Sequence, residues 1–520
     1  MNRPRPATES ALGTLALVVG VGVVLSVVTI VPSGNTQLVA GGPGTGNNTV
    51  TQNNGNPNAP VTNNNVPGAK PGSHPGVQNP VPGSNNSGNG TLPPSKAGLS
   101  CDSQHNGGST DRGISASNIH MAATTVTDGP GASFLAASNG AISAVAAQVN
   151  KAGGICGRHL TIDMRNDSWK RDLGAQYIQN FVQGEHIFGL AVNPDSEGLY
   201  EVASTGYIDK QQVPVVGSGG QTGVEYTDPW IWPVGTATIS QMHIMAKDAY
   251  ARGARHFAIA FESQYRFGLE GAYAFEKAVE RLTGAKIPGF DPKLESCNSG
   301  SRFCGVPSGQ TSYTSQATQF NNACFGVQSN GSNCDFVAYL MEPDTALAFL
   351  SNRGQASPLY GMAGAEPLFN RQAFANKCQD ACNVQVGFNV WTGYQPPEGA
   401  YSGQAAESKY VTDMRNSNGG IDVDNQFVEG AYIGMNLLVK ALQTVGPELT
   451  RFRLQTALDA MTFDSGLTKT LRWSPGHHFA NDAAMGWRLN YSNGSFSGFS
   501  AATKFETDPW LGQDNLKTNG

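Results

Sequence analysis

The chain has 520 residues, which is too long for one compact core and predicts two or three domains with additional segments. Charged residues make up 14% of the chain, and the formal net charge is −6 at pH 7. No basic stretch is present that could neutralise a run of phosphates, so the composition argues against nucleic-acid binding.

The first predicted element is an uncharged apolar segment that runs from Ala11 to Val31. Its 21 residues match the roughly 20 that a helix needs to cross a bilayer. A secretory signal has a shorter apolar core, and the best cleavage site here, ending at Ala40, is poor. We predict an uncleaved signal anchor, with a cleaved signal as the alternative. Two arginines then place residues 1–10 in the cytoplasm and the following residues outside.

Residues 32–100 form a low-complexity tract of Gly, Asn, Pro, Thr, Ser and Val, in which Lys70 and Lys96 are the only charged residues. Such a tract cannot bury enough apolar surface to offset its ordering entropy, so we predict a disordered linker. A coil of this length spans roughly 45 Å. It would act as a tether that lifts a domain off the membrane.

Eight cysteines lie beyond the predicted span, and an even number in an exported chain predicts disulfides. Three pairs are close in sequence, and two cysteines remain: Cys297 with Cys304, Cys324 with Cys334, Cys378 with Cys382, and then Cys101 and Cys156. The connectivity stays open. No C-x-x-C motif or Cys/His cluster is present, so we expect no metal site.

From about residue 113, short apolar runs alternate with longer amphipathic segments. The predicted elements in chain order are strand 119–126, helix 132–151, strand 159–164, helix 172–182, strand 187–192, helix 197–209, strand 213–217, helix 240–252, strand 256–261, helix 269–282, strand 335–341, helix 344–351, strands 359–363 and 384–389, and helices 426–445 and 452–461. This alternation predicts an α/β fold in which helices cover parallel sheets.

The C-terminal part has a different pattern. Residues 471–473 (LRW) predict a short strand, and residues 487–491 and 495–499 predict two more. The last two flank Asn493 and Gly494, a pair that tolerates positive φ and favours a tight hairpin turn.

Four pieces in this order carry a family resemblance: residues 129–134 (GPGASF), 149–158 (VNKAGGICGR), 213–218 (VPVVGS), and the final LRW strand with its hairpin. With these pieces, the region from about 113 to 505 resembles the type I periplasmic binding proteins, in the branch that binds leucine, isoleucine and valine. The insert at about 291–312 has no counterpart in that pattern.

The resemblance implies two lobes joined by three hinge crossings, with a ligand between them. Lobe 1 would comprise residues 101–236 and 389–469, and lobe 2 residues 237–388 and 470–510. It implies an extracytoplasmic protein that binds a small polar solute, such as an amino acid or amide, for an ABC permease, without a cofactor, and the predicted signal anchor would hold this protein at the membrane. The alternative is a membrane-tethered ligand sensor that acts through a signalling partner.

Candidate ligand contacts lie in loops that follow the strands, because the carboxyl ends of parallel strands converge and helix N-termini there present free N–H groups. The candidates in the first lobe are Phe134, Asp195, Ser196, Ser218, Gly219 and Thr222. The candidates in the second lobe are Tyr265, Phe267, Glu342 and Glu366, of which Glu366 falls where the family often places an acid that pairs with the ligand's ammonium. The alternatives are that Ser196 and Ser218 only cap the following segments and that Glu366 is a surface acid.

Catalysis finds little support in the sequence. It contains no G-x-S-x-G elbow, no H-E-x-x-H helix and no G-x-x-x-x-G-K loop. The adjacent pair His477 and His478 is better explained as a surface turn than as part of a metal site. We therefore predict a binding protein and not an enzyme.

Overall fold

The computed structural model describes residues 92–291, 296–329, 331–352, 358–377, 388–492 and 495–514. The predicted signal anchor, most of the predicted linker, the Cys378 and Cys382 pair, and the Asn493-Gly494 turn lie outside the described residues. The described elements are those of an α/β protein.

The strands in chain order are β1 (Asn118–Thr125), β2 (His159–Asn166), β3 (Gly189–Ala191), β4 (Val215–Val216), β5 (Ile231–Trp232), β6 (Phe257–Glu262), β7 (Phe303–Val306), β8 (Phe336–Leu340), β9 (Met362–Gly364), β10 (Phe388–Thr392), β11 (Thr462–Phe463), β12 (Leu471–Arg472), β13 (Ala483–Ser492), β14 (Ser495–Ala501) and β15 (Glu506–Thr507).

The α-helices are α1 (Ala132–Leu135), α2 (Ser138–Lys151), α3 (Arg171–Gln183), α4 (Ser196–Ser204), α5 (Tyr207–Gln211), α6 (Thr238–Arg252), α7 (Arg266–Thr283), α8 (Thr314–Phe325), α9 (Pro343–Asn352), α10 (Arg371–Lys377), α11 (Ala405–Ser417), α12 (Gln426–Val445) and α13 (Arg451–Asp459). Short 3₁₀ helices cover Gly223–Tyr226, Val327–Ser329, Glu366–Leu368 and Gly399–Tyr401.

The first lobe is built on a parallel sheet in the order β2-β1-β3-β4-β5. Helices α2 and α12 pack against each other, as do α3 and α4, and both pairs contact the sheet. Gly217, at the end of β4, has a φ of +84°, and a Cβ at this position would lie 2.4 Å from the Cα of Gly434 in α12. This pair of glycines lets α12 approach the edge of the sheet where the loops converge.

The second lobe is built on a larger sheet in the order β14-β13-β10-β9-β8-β6-β7. Strands β6 to β10 are parallel, whereas β13 and β14 form an antiparallel hairpin added to β10. Helices α6 and α7 pack together against this lobe, with α8 and α9 beside each other. The predicted alternation of strands and helices, and the parallel sheets that it implies, are confirmed.

The predicted helices and strands differ from the structure at several places. The predicted helix 132–151 is two helices, and the predicted helix 197–209 is interrupted at Gly206, whose φ is +71°. Strand β7 is missed because it has four residues inside the unmatched insert, and α8 is missed because its sequence is mostly polar.

Within the described residues, one segment, Ala132–Lys151, is long and apolar enough to cross a membrane by length and composition alone. It contains α1 and α2, and α2 packs on α12 in the core of the first lobe. Its apolar residues are therefore explained by core packing.

Three crossings connect the lobes and are hydrogen-bonded to one another. The side-chain amide of Asn481 donates to the carbonyls of Val234 (3.2 Å) and Gly393 (3.3 Å), and the hydroxyl of Thr236 donates to the carbonyl of Ala483 (2.6 Å). Each of the three crossings thus contributes to one small bonded hinge.

The structure places two of the crossings a few residues later than expected. Strand β10 pairs with β9 and β13, so residues 389–392 belong to the second lobe and not to the first. Leu471 and Trp473 pack in the core of the first lobe, so the last crossing lies between Trp473 and Ala483 and not at residue 470. In both cases the lobe continues past the boundary that the sequence pattern indicated, because later residues still pair in its sheet or pack in its core.

Three disulfides are present among the described residues, and no described cysteine is free: Cys101–Cys156, Cys297–Cys304 and Cys324–Cys334. The first closes a separation of 55 residues, and the other two close 7 and 10. Stable disulfides are typical of an oxidising compartment.

Removing the long-range disulfide will cost more stability than removing either short one. Loop-closure entropy predicts a loss of about 4 kcal/mol for Cys101→Ser with Cys156→Ser, against about 2–3 kcal/mol for Cys297→Ser with Cys304→Ser. Urea unfolding of the two double variants measures the difference. An equal or smaller loss for the first variant contradicts this prediction.

Candidate functional site

A cleft lies between the two lobes, at the carboxyl ends of β1, β3 and β4 and beside α12. Its main cavity has a volume of about 30 Å³, room for one or two water molecules. That cavity is lined by Ser138, Val192, Asn193, Pro194, Ser196, Gly217, Gly219, Gln221, Tyr394, Phe427, Gly430 and Ala431. A second, smaller cavity shares some of these residues and adds Phe134, Leu135, Trp169, Phe267 and Pro367.

Aromatic rings from both lobes fill the space beside these cavities. Trp169, which follows β2 in the first lobe, stacks on Tyr265 of the second lobe with ring centroids 3.8 Å apart. Phe134 contacts the rings of Trp169 at 5.4 Å and Phe427 at 5.0 Å. Phe267 lies 5.9 Å from Trp169. The lobes are therefore closed against each other through apolar contacts.

Two buried carboxylates, those of Glu197 and Glu270, bridge the lobes. They pair with Arg171 and Arg266, and we call these four residues the latch. Glu197 of the first lobe accepts from the backbone N–H of Arg266 in the second lobe (2.7 Å) and pairs with Arg171 (3.0 Å). Glu270 of the second lobe accepts from the backbone N–H of Gly223 (2.6 Å) and pairs with Arg266 (2.7 Å). The latch holds the N-terminus of α7 onto the first lobe.

The predicted residues of the first lobe divide into cavity-lining and structural residues. Phe134, Ser196 and Gly219 line the cavities, in agreement with their place in the loops. Asp195 does not line either cavity, because its carboxylate caps α4 by accepting from the N–H groups of Glu197 (3.0 Å) and Gly198 (2.7 Å). The alternative that Ser196 caps this helix is wrong, since Asp195 is the cap.

The other two predicted residues of the first lobe lie in the loop after β4. Ser218 is fully buried, and Thr222 is bonded to Glu225, whose carboxylate accepts from the N–H groups of Gly220 and Thr222 (3.0 Å each). Glu225 therefore occupies two backbone N–H groups of this loop.

The predicted residues of the second lobe also divide. Tyr265 and Phe267 belong to the aromatic contacts, and Phe267 lines the smaller cavity. Glu342 does not line either cavity, because it caps α9 through the N–H groups of Asp344 (2.7 Å) and Thr345 (2.6 Å). Glu366 has no exposed surface, so the alternative of a surface acid is wrong.

Glu366 is held between the lobes near the hinge. Its carboxylate accepts from the side-chain amide of Gln241 (3.0 Å), and its backbone carbonyl accepts from the side chain of Gln426 in the first lobe. The next residue, Pro367, lines the smaller cavity. The carboxyl of Glu366 thus lies deep in the protein beside the cleft.

Several carboxyl groups around the cleft have raised pKa values because they are buried. Burial raises the pKa of Glu366 to about 8 and that of Glu270 to about 7. Burial also raises the pKa of Asp167 to about 6 and that of Asp195 well above its usual range; Asp167 lies against Asp195 and raises the pKa of Asp195 further. Low local polarity at this site therefore favours protonated acids in the absence of a nearby cation.

Sequence reasoning missed several residues of the cleft: Trp169, Glu197, Glu270, Tyr394 and Phe427. Trp169 had a usable signal, since it follows a strand at the correct edge of the sheet. Phe427 and Tyr394 come from the later crossings, and only the three-dimensional fold brings them to the loops of the first lobe.

Comparison with known proteins agrees with this architecture. A family model described as periplasmic binding protein matches residues 118–487. No curated protein sequence matches the chain significantly.

Solved structures share the fold at low sequence identity. A possible leucine/isoleucine/valine-binding protein from Rhodopirellula baltica SH 1 is 13% identical with a TM-score of 0.60, over 74% of this chain and 96% of that one. A fatty acid ABC transporter substrate-binding protein from Thermomonospora curvata is 15% identical with a TM-score of 0.58, over 79% and 96%. A solute-binding protein of an ABC transporter from Rhodopseudomonas palustris HaA2, in complex with p-hydroxybenzoic acid, is 15% identical with a TM-score of 0.59, over 76% and 100%.

The two α/β lobes, the three bonded crossings and the cleft at the carboxyl ends of the strands all fit the matched model. The chain belongs to the type I periplasmic binding protein family.

Proposed function

We propose that the chain captures a small solute in its interlobe cleft and presents it to the permease of an ABC importer. The observation that carries this proposal is the position of the cleft, which lies at the carboxyl ends of parallel strands and takes lining residues from both lobes. The structural relatives that are described as substrate- or solute-binding proteins of ABC transporters support the transport role. We propose that the N-terminal apolar segment anchors the binding domain outside the membrane.

The solute would select the closed arrangement by contacting both lobes. In the first lobe, the hydroxyl of Ser196 lies at the cavity wall, as does the side-chain amide of Gln221, which accepts from the hydroxyl of Thr238 (3.3 Å) and donates to the carbonyl of Gly219 (3.5 Å). In the second lobe, Phe267 and Pro367 supply an apolar surface. Because the closed cleft has little free volume, a solute enters only after the lobes separate at the bonded hinge.

A thermal-shift screen tests this proposal. We expect at least one member of a panel of amino acids, amines, amides, short peptides, aromatic acids and fatty acids to raise the melting temperature of the oxidised full chain. A solute at 100 times its dissociation constant adds about 2.7 kcal/mol of stability.

A variant that fills the cleft provides the control. Ala431→Phe adds a ring at a cavity-lining position of α12 and should remove the shift, whereas Thr444→Phe adds the same ring to the exposed face of that helix and should keep it. A flat response across the panel, or a shift that survives Ala431→Phe in a cooperatively melting protein, contradicts binding in the cleft.

A further inference from the structure

Five backbone N–H groups in the loops and at the helix N-termini near the cleft are bonded to carboxylates of the chain itself. Glu225 takes two of them in the loop after β4, and Asp195 takes two at the N-terminus of α4. Glu197 takes the first N–H of α7, at Arg266. Loops and helix N-termini of this kind are the usual anion sites of α/β proteins. A carboxylate solute would have to displace carboxylates that are buried and covalently attached.

A surplus of hydrogen-bond acceptors lies at the hinge end of the cleft. Glu366, Gln426 and Glu429 have no exposed surface. One carboxylate oxygen of Glu366, the amide oxygen of Gln426 and both carboxylate oxygens of Glu429 form no hydrogen bond of ordinary geometry with the described residues. Burial raises the pKa values of Glu366 and Glu429, and the nearby backbone N–H groups of Gly393 and Gln395 lower these pKa values in part. The N–H of Gln395, however, is bonded to the carbonyl of Leu467 (2.8 Å).

These acceptors adjoin the cavity wall. Phe427 and Gly430, which flank Glu429 along α12, line the main cavity, as does Tyr394. A Cβ added at Gly430 would lie 2.8 Å from the hydroxyl of Tyr394, so this part of the helix approaches the hinge closely. Buried acceptors without donors cost free energy, which a solute that brings N–H groups would recover.

The charged residues and the aromatic rings around the cleft also favour a solute that brings N–H groups. Among the described residues, no lysine or arginine lines either cavity, and the two arginines of the latch are already paired with Glu197 and Glu270. The rings of Phe134, Trp169 and Phe427 supply faces that attract cations. A carboxylate would find no cationic side chain among these lining residues.

We propose that the solute is an amine: a primary ammonium on an aromatic or branched apolar body, without a carboxylate. The ammonium would donate to Glu366, Glu429 and Gln426, and the apolar body would lie among Phe134, Phe427 and Phe267. This proposal rests on the solute-binding function proposed above and specifies the chemical class of the solute. It separates the chain from proteins that recognise an amino acid through its carboxylate.

Matched pairs of solutes test the proposal by thermal shift and calorimetric titration of the full chain. Tyramine is compared with tyrosine and 4-hydroxyphenylacetate, and isopentylamine with leucine, because the members of each set differ in whether they carry an ammonium, a carboxylate or both. We expect an amine to bind at least about tenfold more tightly than each of its carboxylate-bearing counterparts.

The outcomes separate this proposal from the general function. Equal or tighter binding of tyrosine, leucine or 4-hydroxyphenylacetate overturns the amine proposal and leaves solute binding standing. If only another class of solute in the wider panel binds, the amine proposal is likewise overturned and solute binding stands. No response to any solute contradicts both proposals.

Variants of the two acids locate the ammonium. Glu366→Gln and Glu429→Gln preserve size and should each weaken binding of the amine about tenfold or more. Glu276→Gln is the matched control, because Glu276 is equally buried but lies on α7, where it accepts from the backbone N–H of Ile287 (2.8 Å). Unchanged affinity in both Glu366→Gln and Glu429→Gln overturns the assignment.

Discussion

Replacing Glu197 with alanine will open the cleft and lower the free energy of unfolding by about 3 kcal/mol. Glu197 is 1% exposed and joins the lobes by accepting from the backbone N–H of Arg266 and pairing with Arg171. Its loss leaves the N-terminus of α7 without an acceptor and Arg171 without its partner. The expected loss of stability lies at the lower end of the range for breaking a buried ion pair, because the side chain of Arg171 is 37% exposed.

Two measurements check this prediction. Urea unfolding gives the change in stability, and small-angle scattering should show a larger radius of gyration if the latch holds the lobes together. Glu197→Gln should lose less, because its amide oxygen can still accept from Arg266. Asp209→Ala, at an exposed position of the same lobe, is the control and should change neither quantity. A compact, fully stable Glu197→Ala variant contradicts the latch.

Replacing His243 with alanine will destabilise the second lobe by about 3–5 kcal/mol. His243 is 1% exposed, and its imidazole contacts Asp508 through Nδ1 (3.0 Å) and Asp514 through Nε2 (2.6 Å). These contacts fasten the C-terminal segment 506–514 to α6. The variant removes one partner from each of two buried carboxylates, although Asp508 keeps the hydroxyl of Ser240 (2.7 Å) and Asp514 keeps Arg281.

The ionisation of His243 and of its partner Asp514 makes the stability of the protein depend on pH. Burial alone would lower the pKa of His243, but hydrogen bonds and charge from Asp508 and Asp514 raise it overall. The stabilisation from His243 is therefore fully present below its unfolded pKa of about 6.5 and is lost as the pH rises through the folded value. Burial raises the pKa of Asp514, but its bonds to His243 and Arg281 lower it overall, so its contribution is lost as the pH falls through its folded value.

Unfolding measured from pH 5 to pH 9 in the wild type and in His243→Ala tests the pH dependence assigned to His243. The difference between the two proteins should shrink as the pH rises. His105→Ala is the control, because His105 contacts Asp102 at a similar distance (3.0 Å) on the surface, with 59% of its side chain exposed, and should leave stability unchanged. Equal effects of the two variants contradict the assigned role of His243.

Much of the fold could be predicted because its signals are local. Strands such as β1 and β6 are short apolar runs, and α12 carries its apolar face along 20 residues. The terminal strands β13 and β14 were also predicted, and they pair as an antiparallel hairpin. The lobe boundaries were less accurate, because pairing of β10 and packing of Trp473 depend on distant parts of the chain.

The candidate site was harder to predict, because a residue's place in a loop does not tell what its side chain contacts. Asp195 and Glu342 lie at the carboxyl ends of strands, as expected of ligand contacts, but each caps the next helix. Glu197 looked like an ordinary residue of the first turn of α4, and only the position of the second lobe shows that it receives the N–H of Arg266. Contacts between lobes have no local sequence pattern.

A crystal structure of the full chain grown with saturating tyramine tests most directly the central claim, that an amine solute binds in the interlobe cleft. We expect tyramine between Phe134 and Phe427, with its ammonium within about 3.2 Å of the carboxylate of Glu366 or Glu429. Tyramine bound only outside the cleft, or a cleft whose rings remain packed as they are here at saturating tyramine, would contradict it.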